Sequence, residues 1–362
     1  MTRVPHKPYH LSGGVSDPLE LRSDGFEKRV EGRWLSLKID RKQLKQLMQR
    51  SDTAGLQHFL PWLVLLVGSG TAAYLTVGTL WCLPAFAAYG ILYSMSDHHA
   101  HELSHGTPFR TRWLNEILYH LSAFMTLHEG HYWRWSHSRH HTETLIVGRD
   151  PEIAFPRPVN LANAVLDFFF IPTGLRELGK ILRHASGNLG PYAREIVPAS
   201  ELKKVVWSSR AYVAVFIGTI GWCLAAGSVL PALFIVLPRF YGGAFAQLFD
   251  MTQHAGLAED VWDHRLNTRT MRLNPALSFL YVNMNYHLEH HMFPVVPFHA
   301  LPRLHGLISE QCPPAYRGLR EAYGEIIPTL LRQARDAQYY VRRPPFAGVK
   351  GRDGSGCCRR CG

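Results

Sequence analysis

Histidine is the residue whose placement in this sequence points most directly to chemistry. The chain has 21 histidines, and eight of them fall into three short groups. Within each group the residues lie three or four positions apart, which places their rings on one face of a helix. The groups are His101 and His105; His137, His140 and His141; and His287, His290 and His291. Three such faces can converge on a common metal centre.

The number of histidines says more about the metal than their type does. Imidazole is a ligand for iron, zinc, copper and nickel, so the residue type leaves the metal open. Eight histidines exceed what one four-coordinate zinc ion can use. The groups therefore favour a site for two metal ions, and a dinuclear site with redox chemistry indicates iron.

Two long uncharged stretches must position these groups. Residues 59–96 contain no Asp, Glu, Lys or Arg, and residues 211–249 contain a single charge, Arg239. A transmembrane helix needs roughly 20 mostly apolar residues. Each stretch is about twice that length, so each predicts a helical hairpin, with outer turns near residues 76–79 and 227–231. Two buried core helices of a soluble enzyme are the less favoured alternative, because such long uncharged runs are rare there.

The chain divides around these hairpins into four segments. We expect a cytoplasmic N-terminal segment (1–56), a membrane domain (57–306), a cytoplasmic helical end (307–342) and a flexible tail (343–362) rich in Pro, Gly and Cys. Within the membrane domain the hairpins occupy about 57–96 and 210–249. The predicted fold class is all-α and integral to the membrane, with four transmembrane helices.

The net charge of +11 lies almost entirely outside the hairpins. By the positive-inside tendency, both termini and the central segment face the cytoplasm, with a bacterial inner membrane as the expected location. Contact with membrane lipid explains this charge at least as well as nucleic acid does. The basic residues form no compact run interleaved with aromatic residues, so no nucleic-acid partner is predicted.

The three groups and their surroundings resemble a known family. HELSH (101–105), HSRHH (137–141) and HLEHH (287–291) look like the three histidine boxes of the membrane fatty-acid desaturase and hydroxylase superfamily. The flanking stretches HGTPFRTRWLN, HHTETLIVGRDPE and NMNYHLEHHMFPVVPFHALP are similar too. The resemblance covers roughly residues 57 to 306. It implies four transmembrane helices and a helical cytoplasmic cap that holds two irons in a histidine-rich site.

The resemblance adds a ninth metal ligand and several supporting residues. In the family a further histidine before the third box binds metal, and the matching position is His254, in FDMTQHAGL. Some relatives have an Asn one turn earlier, where this chain has Asp250. Asp250 can orient His254, bind iron itself or serve as a simple cap. Glu102 and Glu289 are further candidates for holding imidazole N–H groups, as are Asp150 and Glu152, although surface salt links explain each equally well.

The activity implied by the resemblance is O₂-dependent attack on an unactivated C–H bond. A second, weaker resemblance, in QHAGLAEDVWDHRLNTRTMRLNP, is to bacterial hydrocarbon-oxygenase relatives, one of them linked to catabolism of rhizopine, an O-methylated inosamine. We therefore expect a monooxygenase of a hydrocarbon-like or O-methylated substrate. The alternative is a fatty-acyl (acyl-lipid) desaturase. No dinucleotide-binding fingerprint or haem motif is present, so electrons are expected from a separate ferredoxin-type protein and its reductase. Arg134, Arg139, Arg303 and the arginines of 317–343 are candidate docking residues.

Two other protein classes fit part of the pattern. HELSH matches the zinc-protease motif H-E-x-x-H, with Glu102 as base. A zinc protease needs only one further ligand, which leaves both HxxHH groups unexplained. A histidine-rich metal transporter should line its membrane helices with ionisable residues, and these hairpins have almost none.

Overall fold

The computed structural model describes residues 33–343, and the elements of regular secondary structure in that range are helices. The first six α-helices are α1 (Arg41–Leu47), α2 (Asp52–Leu75), α3 (Cys82–Ser94), α4 (Ser96–Ser104), α5 (Arg112–Met125) and α6 (Gly130–Glu143). The next six are α7 (Leu161–Leu166), α8 (Ile171–Ala185), α9 (Gly190–Ile196), α10 (Leu202–Ala226), α11 (Leu230–Ile235) and α12 (Pro238–His254). The last five are α13 (His264–Asn267), α14 (Pro275–Leu280), α15 (His287–Met292), α16 (Leu301–Ile308) and α17 (Leu319–Gln333).

Helices α2 and α3 form the first predicted hairpin. Ser51 caps α2 by accepting a hydrogen bond from the backbone N–H of Ala54 at 3.2 Å. The turn between the two helices includes Gly78, whose φ of 87° suits a residue without a side chain. This turn falls where the uncharged stretch predicted it.

Helices α10, α11 and α12 form the second hairpin. Gly227 ends α10 in the left-handed conformation, with φ 58°, which glycine adopts without steric cost. A short break separates α11 from α12, and Pro238 occupies the first turn of α12, where its missing N–H is not needed. The outer turn therefore lies in the predicted region of residues 227–231.

Three helical stretches are long and apolar enough to cross a membrane: Asp52–Leu75, Leu202–Ala226 and Leu230–His254. Many of their side chains point outward, as Val64 (69% exposed) and Ile217 (64%) show, which suits contact with lipid tails. Helix α3 has only 13 residues, less than the roughly 20 that a span needs. The all-helical class is confirmed, with three candidate spans where four were predicted.

Helix α3 packs tightly against α12. A Cβ atom on Gly242 would overlap the backbone of Gly90, so the two helices meet at a pair of glycines. Small residues of this kind let membrane helices approach closely. Just beyond the crossing, the Arg239 guanidinium donates to the Asp97 carboxylate at 2.6 Å, with both side chains largely buried. The single charge of the second hairpin is therefore neutralised at the start of α4.

Two helices outside the spans expose apolar faces. Helix α5 exposes Trp113 (62%) and Ile117 (59%), and α8 exposes Leu175 (64%) and Leu182 (51%). Amphipathic helices with such faces lie in the membrane interface, which fits the short apolar stretches of these helices. Helix α5 packs against α4 and α6, which carry the first two groups of histidines.

Candidate metal centre

Four helices carry the nine candidate histidines. Helix α4 carries His101, and His105 is its C-terminal cap. Helix α6 carries the second group near its C-terminus, α12 ends at His254, and α15 begins at His287. The spacing of three and four residues places each group on one helical face, as the sequence predicted.

The structure brings all nine histidines into two groups, and these groups contain no other residue type. One group has five members, His101, His105, His137, His141 and His290, and the other has four, His140, His254, His287 and His291. Each member contributes one ring nitrogen, and within a group all these nitrogens lie within 4.8 Å of one another. The neighbours His140 and His141 belong to different groups, as do His290 and His291. The groups therefore adjoin, and a dinuclear centre fits them.

The contacts between ring nitrogens fit metal ligands better than hydrogen bonds. The Nε2 atom of His290 lies 2.9 Å from that of His101 and 3.2 Å from that of His141. In the other group, Nε2 of His287 lies 3.0 Å from that of His254 and 3.1 Å from that of His291. An imidazole nitrogen carries either one proton or one lone pair, so it cannot bond well to two such neighbours. Nitrogens that converge in this way fit the ligand set of a shared cation.

Burial keeps most of these rings neutral, which is the form that binds metal. Burial, followed by the neighbouring histidines, holds the pKa of His101, His137, His141 and His290 well below the usual range. The same causes act on His287 and His291, and burial lowers the pKa of His105 to about 4. At neutral pH these lone pairs are therefore available.

Hydrogen bonds on the outer side of the rings fix which nitrogen points inward. Nδ1 of His140 lies 2.9 Å from Asp150, and Nδ1 of His137 lies 3.0 Å from Glu152. Burial acts to lower the pKa of His140, but the Asp150 carboxylate outweighs this effect, so the pKa of His140 lies above its ordinary value. Nδ1 of His254 donates to the Asn267 carbonyl at 2.8 Å. Such partners hold the ring and increase its basicity as a ligand.

The predicted supporting carboxylates take different places. Asp250 lies in neither group and faces Nε2 of His98 at 2.9 Å. Glu102 accepts hydrogen bonds from the Thr107 hydroxyl at 2.7 Å and the Phe298 N–H at 2.9 Å. Its other oxygen lies 3.8 Å from Nδ1 of His290, and burial raises the pKa of Glu102 to about 8.

Glu289 anchors the third box from outside the two groups. It accepts hydrogen bonds from the Thr270 hydroxyl at 2.5 Å and from Nδ1 of His305 at 2.6 Å. His305 thereby ties α15 to α16.

Two residues that contact the histidine rings, Thr144 and Asn267, were not predicted from the sequence. The Thr144 hydroxyl lies 3.1 Å from Nδ1 of His291 and donates to the backbone carbonyl of His140 at 2.7 Å. Its position four residues after His140 is a usable signal, because the two lie one helical turn apart. Asn267 acts through its backbone carbonyl, which any residue type provides, so no sequence signal identifies it.

A cavity of about 530 Å³ adjoins both groups. His101 of the five-membered group lines it, as do His140 and His254 of the four-membered group. The remaining wall is mixed. Its charged and polar residues include Asp97, Glu152, Arg239, Gln247, Asp250 and Gln253, and its apolar and aromatic residues include Tyr132, Trp133, Ile153, Phe155, Phe170 and Leu257. The cavity therefore adjoins the centre through these three histidines.

Comparison with known proteins identifies the family. A family model described as "Fatty acid desaturase" matches residues 80–323, about two thirds of the chain. The chain belongs to the fatty acid desaturase family. The resemblance read from the three histidine boxes is thereby confirmed, and with it the assignment to a family of membrane oxidoreductases. The narrower branch linked to rhizopine stays a prediction.

Three curated members of the desaturase family are similar at low identity. The Delta(5) fatty acid desaturase fat-4 of Caenorhabditis elegans is 22% identical over 266 residues, which cover 66% of this chain and 59% of the relative. Fatty acid desaturase 3 of Homo sapiens is 22% identical over 290 residues, which cover 70% of this chain and 59% of the relative. The Delta(6)-fatty-acid desaturase fat-3 of C. elegans is 20% identical over 255 residues, which cover 60% of this chain and 56% of the relative. The matches therefore span less than two thirds of these relatives.

Proposed function

We propose that this desaturase-family chain is an O₂-dependent, di-iron oxidoreductase that attacks an unactivated C–H bond. The observation that carries the proposal is the pair of adjoining groups of five and four imidazole nitrogens. An all-nitrogen donor set of this size suits two iron ions better than zinc, which takes four ligands in a structural site. A zinc protease built on HELSH would leave most of these histidines without a role.

In this proposal the nine histidines hold the two irons. When bound, the irons would activate O₂ and supply the oxidising power for C–H cleavage. The chain's own residues hold this centre in place. Asp150 and Glu152 orient His140 and His137, and the Asn267 carbonyl and Thr144 hydroxyl orient His254 and His291.

Two overall reactions are compatible with such a centre. In hydroxylation, R–H, O₂, two electrons and two protons give R–OH and one water. On an O-methyl carbon, the product loses formaldehyde, so the net result is demethylation. In desaturation, the same two electrons, two protons and O₂ remove two hydrogens from adjacent carbons and give an alkene and two waters.

We favour the monooxygenase of a hydrocarbon-like or O-methylated substrate, because the stretch QHAGLAEDVWDHRLNTRTMRLNP resembles hydrocarbon-oxygenase relatives. A compound such as an O-methylated inosamine is an example of this class. The second candidate is a fatty-acyl desaturase, which the printed names of all three relatives support.

The electrons are proposed to come from a separate ferredoxin-type protein and its reductase. Basic side chains on the cap would steer an acidic partner. Arg303, Arg317 and Arg320 are exposed and suit this role. Arg134 and Arg139 suit it less, because Arg134 pairs with Glu116 at 3.1 Å and Arg139 also pairs with nearby glutamates.

The membrane topology proposed with this function has four spans, with the metal centre and both termini in the cytoplasm of a bacterial cell. Support comes from the two outer turns, which lie at the ends of the hairpins away from the histidine helices, and from the tight packing of α3 against α2 and α12. Residues 1–32 and the tail from 344 to 362, with its three cysteines, lie outside the described part of the chain.

The test is reconstitution of the purified chain in nanodiscs. Iron content is measured first, and O₂ consumption and products are then followed with NAD(P)H, a ferredoxin and its reductase. We expect two irons per chain and turnover only when all components are present. His299→Ala, a histidine outside both groups, is the control that should retain activity. One zinc per chain without iron, or turnover by iron-free protein, would refute the proposal.

A further inference from the structure

A pair of stacked rings connects the protein surface to the four-histidine group. The indole of Trp34 lies flat on the imidazole of His264, with ring centroids 3.8 Å apart and planes 6° from parallel. The His264 ring lies 5.2 Å from the ring of His291, a member of that group. His264 is buried, whereas Trp34 is half-buried. A partly exposed indole is therefore only two ring contacts away from a candidate metal ligand.

Contacts with two other parts of the chain fix the orientation of the Trp34 indole. Its Nε1 donates to the carbonyl of Thr142 at 2.9 Å, and the N–H of Leu35 donates to the carbonyl of Trp262 at 3.0 Å. The Trp262 ring packs edge-on against Trp34, with centroids 5.0 Å apart. Residues 33–40 belong to no helix or strand, so these contacts hold the indole on His264.

Helix α13 joins this stack to the metal centre. It begins at His264 and ends at Asn267, whose carbonyl accepts a hydrogen bond from Nδ1 of His254 at 2.8 Å. The helix therefore contacts two members of the four-histidine group, His291 through a ring and His254 through a backbone carbonyl. Burial lowers the pKa of His264 to about 3, so this ring is neutral at physiological pH and adds no positive charge beside the metal ligands.

A second stack, on the five-histidine group, leads into the protein and not to its surface. Trp133 stacks on His137 with ring centroids 5.0 Å apart, and Tyr119 stacks on Trp133 at 6.3 Å. Tyr119 is fully buried and belongs to α5, whose outer face is apolar. A water-soluble protein would not reach this stack, so Trp34 is the better point of contact with a partner.

The segment that carries Trp34 is strongly basic. Residues 33–50 contain six basic residues and a single acidic one, Asp40. All six basic side chains are exposed: Arg33, Lys38, Arg41, Lys42, Lys45 and Arg50. Complementary charge speeds the encounter of two proteins and selects the face on which they meet. This surface therefore fits an acidic partner.

Electron transfer between proteins becomes faster as the redox groups come closer, because the electron tunnels through the atoms between them. Rings in contact leave a shorter gap than water does. A donor that rests on Trp34 has only the indole and the His264 imidazole between itself and the ligand His291. Each transfer oxidises one reduced iron–sulfur cluster by one electron and reduces one ferric ion to ferrous, and no bond forms or breaks.

We propose that electrons enter the metal centre through the Trp34–His264 stack, and that a small acidic iron–sulfur protein docks on the basic segment 33–50 to deliver them. The inference rests on the proposed function, because it needs iron in the histidine groups and a separate donor. It deepens that function by naming the place on the chain where the donor binds and the rings between donor and centre.

The experiment follows reduction of the centre and does not depend on turnover. The iron-loaded chain in nanodiscs is mixed under argon with each of two reductants. One is a reduced plant-type ferredoxin, an acidic one-electron donor with a [2Fe–2S] cluster, which must dock. The other is reduced methyl viologen, a small molecule that needs no docking surface. Freeze-quench Mössbauer spectroscopy measures how fast ferric iron becomes ferrous.

Substitutions at the stack separate electron entry from packing. Trp34→Leu should slow reduction by ferredoxin severalfold, while the rate with methyl viologen and the iron content stay unchanged. Trp34→Phe should keep most of the ferredoxin rate, because its ring can still lie on His264. Trp113→Leu alters an exposed ring on α5 and is the control that should behave like the wild type.

Charge reversal tests the docking surface. Lys38→Glu combined with Arg41→Glu should lower the second-order rate constant for ferredoxin about tenfold or more at low salt, where charge steers association. The difference should shrink at high salt, because ions screen exposed charges. Lys203→Glu, at an exposed position near the start of α10, is the matched control and should leave the rate constant unchanged.

Reduction of Trp34→Leu by ferredoxin at the wild-type rate would overturn the proposed route. Equal slowing with both reductants would also overturn it, because the substitution would then act on the centre itself. A wild-type chain that methyl viologen reduces and ferredoxin does not would refute the docking surface. These outcomes leave the di-iron function intact, whereas a chain that binds no iron would refute that function.

Discussion

Asp150 lies 2.9 Å from Nδ1 of His140, and both side chains are buried within the protein. The same carboxylate accepts hydrogen bonds from the backbone N–H groups of Leu145 and Glu152, at 2.7 and 2.8 Å. Asp150 therefore holds in place both the loop that follows α6 and the His140 ring, which belongs to the four-histidine group. Because the Asp150 carboxylate contacts Nδ1 of His140, removing its negative charge should measurably lower the affinity for metal.

The first prediction concerns this pair. Asp150→Asn keeps the shape of the side chain but removes its charge, so His140 loses basicity and orientation. We expect the affinity for iron to fall by about 10- to 100-fold, the usual effect of losing such a partner. Iron binding is measured by competition with a chelator. Asp336→Asn, at an exposed position, is the control, and equal affinities in the two variants would count against the assigned role.

The second prediction separates the two histidine groups. His290→Ala removes a member of the five-histidine group, and His140→Ala removes a member of the four-histidine group. Each should abolish activity and lower the iron content from two toward one per chain, because each group is proposed to hold one ion. Metal analysis and Mössbauer spectroscopy measure the remaining iron. Full activity in both variants would disprove the site.

The third prediction tests the crossing of α3 and α12. Gly242→Ala places a methyl group against the backbone of Gly90, whereas Gly221→Ala, on α10, meets nothing within 4 Å. Overpacking of this kind costs about 1–3 kcal/mol or more, since a backbone yields less than a side chain. In detergent, the melting temperature should fall clearly for Gly242→Ala and stay unchanged for Gly221→Ala. Equal melting temperatures would mean that the helices do not meet at these glycines.

The fourth prediction concerns acid stability away from the metal centre. Burial lowers the pKa of His184 to about 4, and neither of its ring nitrogens has a described hydrogen-bond partner. The unfolded chain takes up a proton near pH 6.5, so this residue destabilises the fold as the pH falls from 6.5 toward 4. The effect is about 2 kcal/mol at pH 5. His184→Leu should therefore lose less melting temperature than the wild type between pH 7.5 and 5. Identical pH dependence would contradict this account.

The fifth prediction concerns topology. Single cysteines are introduced at Gly78, in the first outer turn, and at Ala334, just after α17, in a chain whose native cysteines are replaced by alanine. A membrane-impermeant maleimide applied to intact cells should label the first position and spare the second. After lysis both should react. Labelling of Ala334→Cys in intact cells would place the metal centre on the outer face.

The amino-acid sequence by itself determined the local features of this protein. Runs without charge set the hairpins and their outer turns, because crossing a bilayer depends on length and hydropathy. The spacing of three and four residues placed His137, His140 and His141 on one face of α6, since a helix has a fixed period. The ninth position, His254, came from the resemblance to the family and not from spacing.

Tertiary structure alone decided how these faces combine. His140 and His141 are adjacent in the chain, yet they join different groups, because the positions of α12 and α15 determine which rings meet. The sequence allows Asp150 and Glu152 to be surface residues. In the structure the loop after α6 folds back on that helix and brings them to His140 and His137. The hydrogen bond from His254 to the backbone carbonyl of Asn267 cannot be predicted from residue type, because every residue has such a carbonyl. The cavity beside the centre is lined by residues of α4, α8 and α12, and such contacts between distant segments depend on packing that no local pattern encodes.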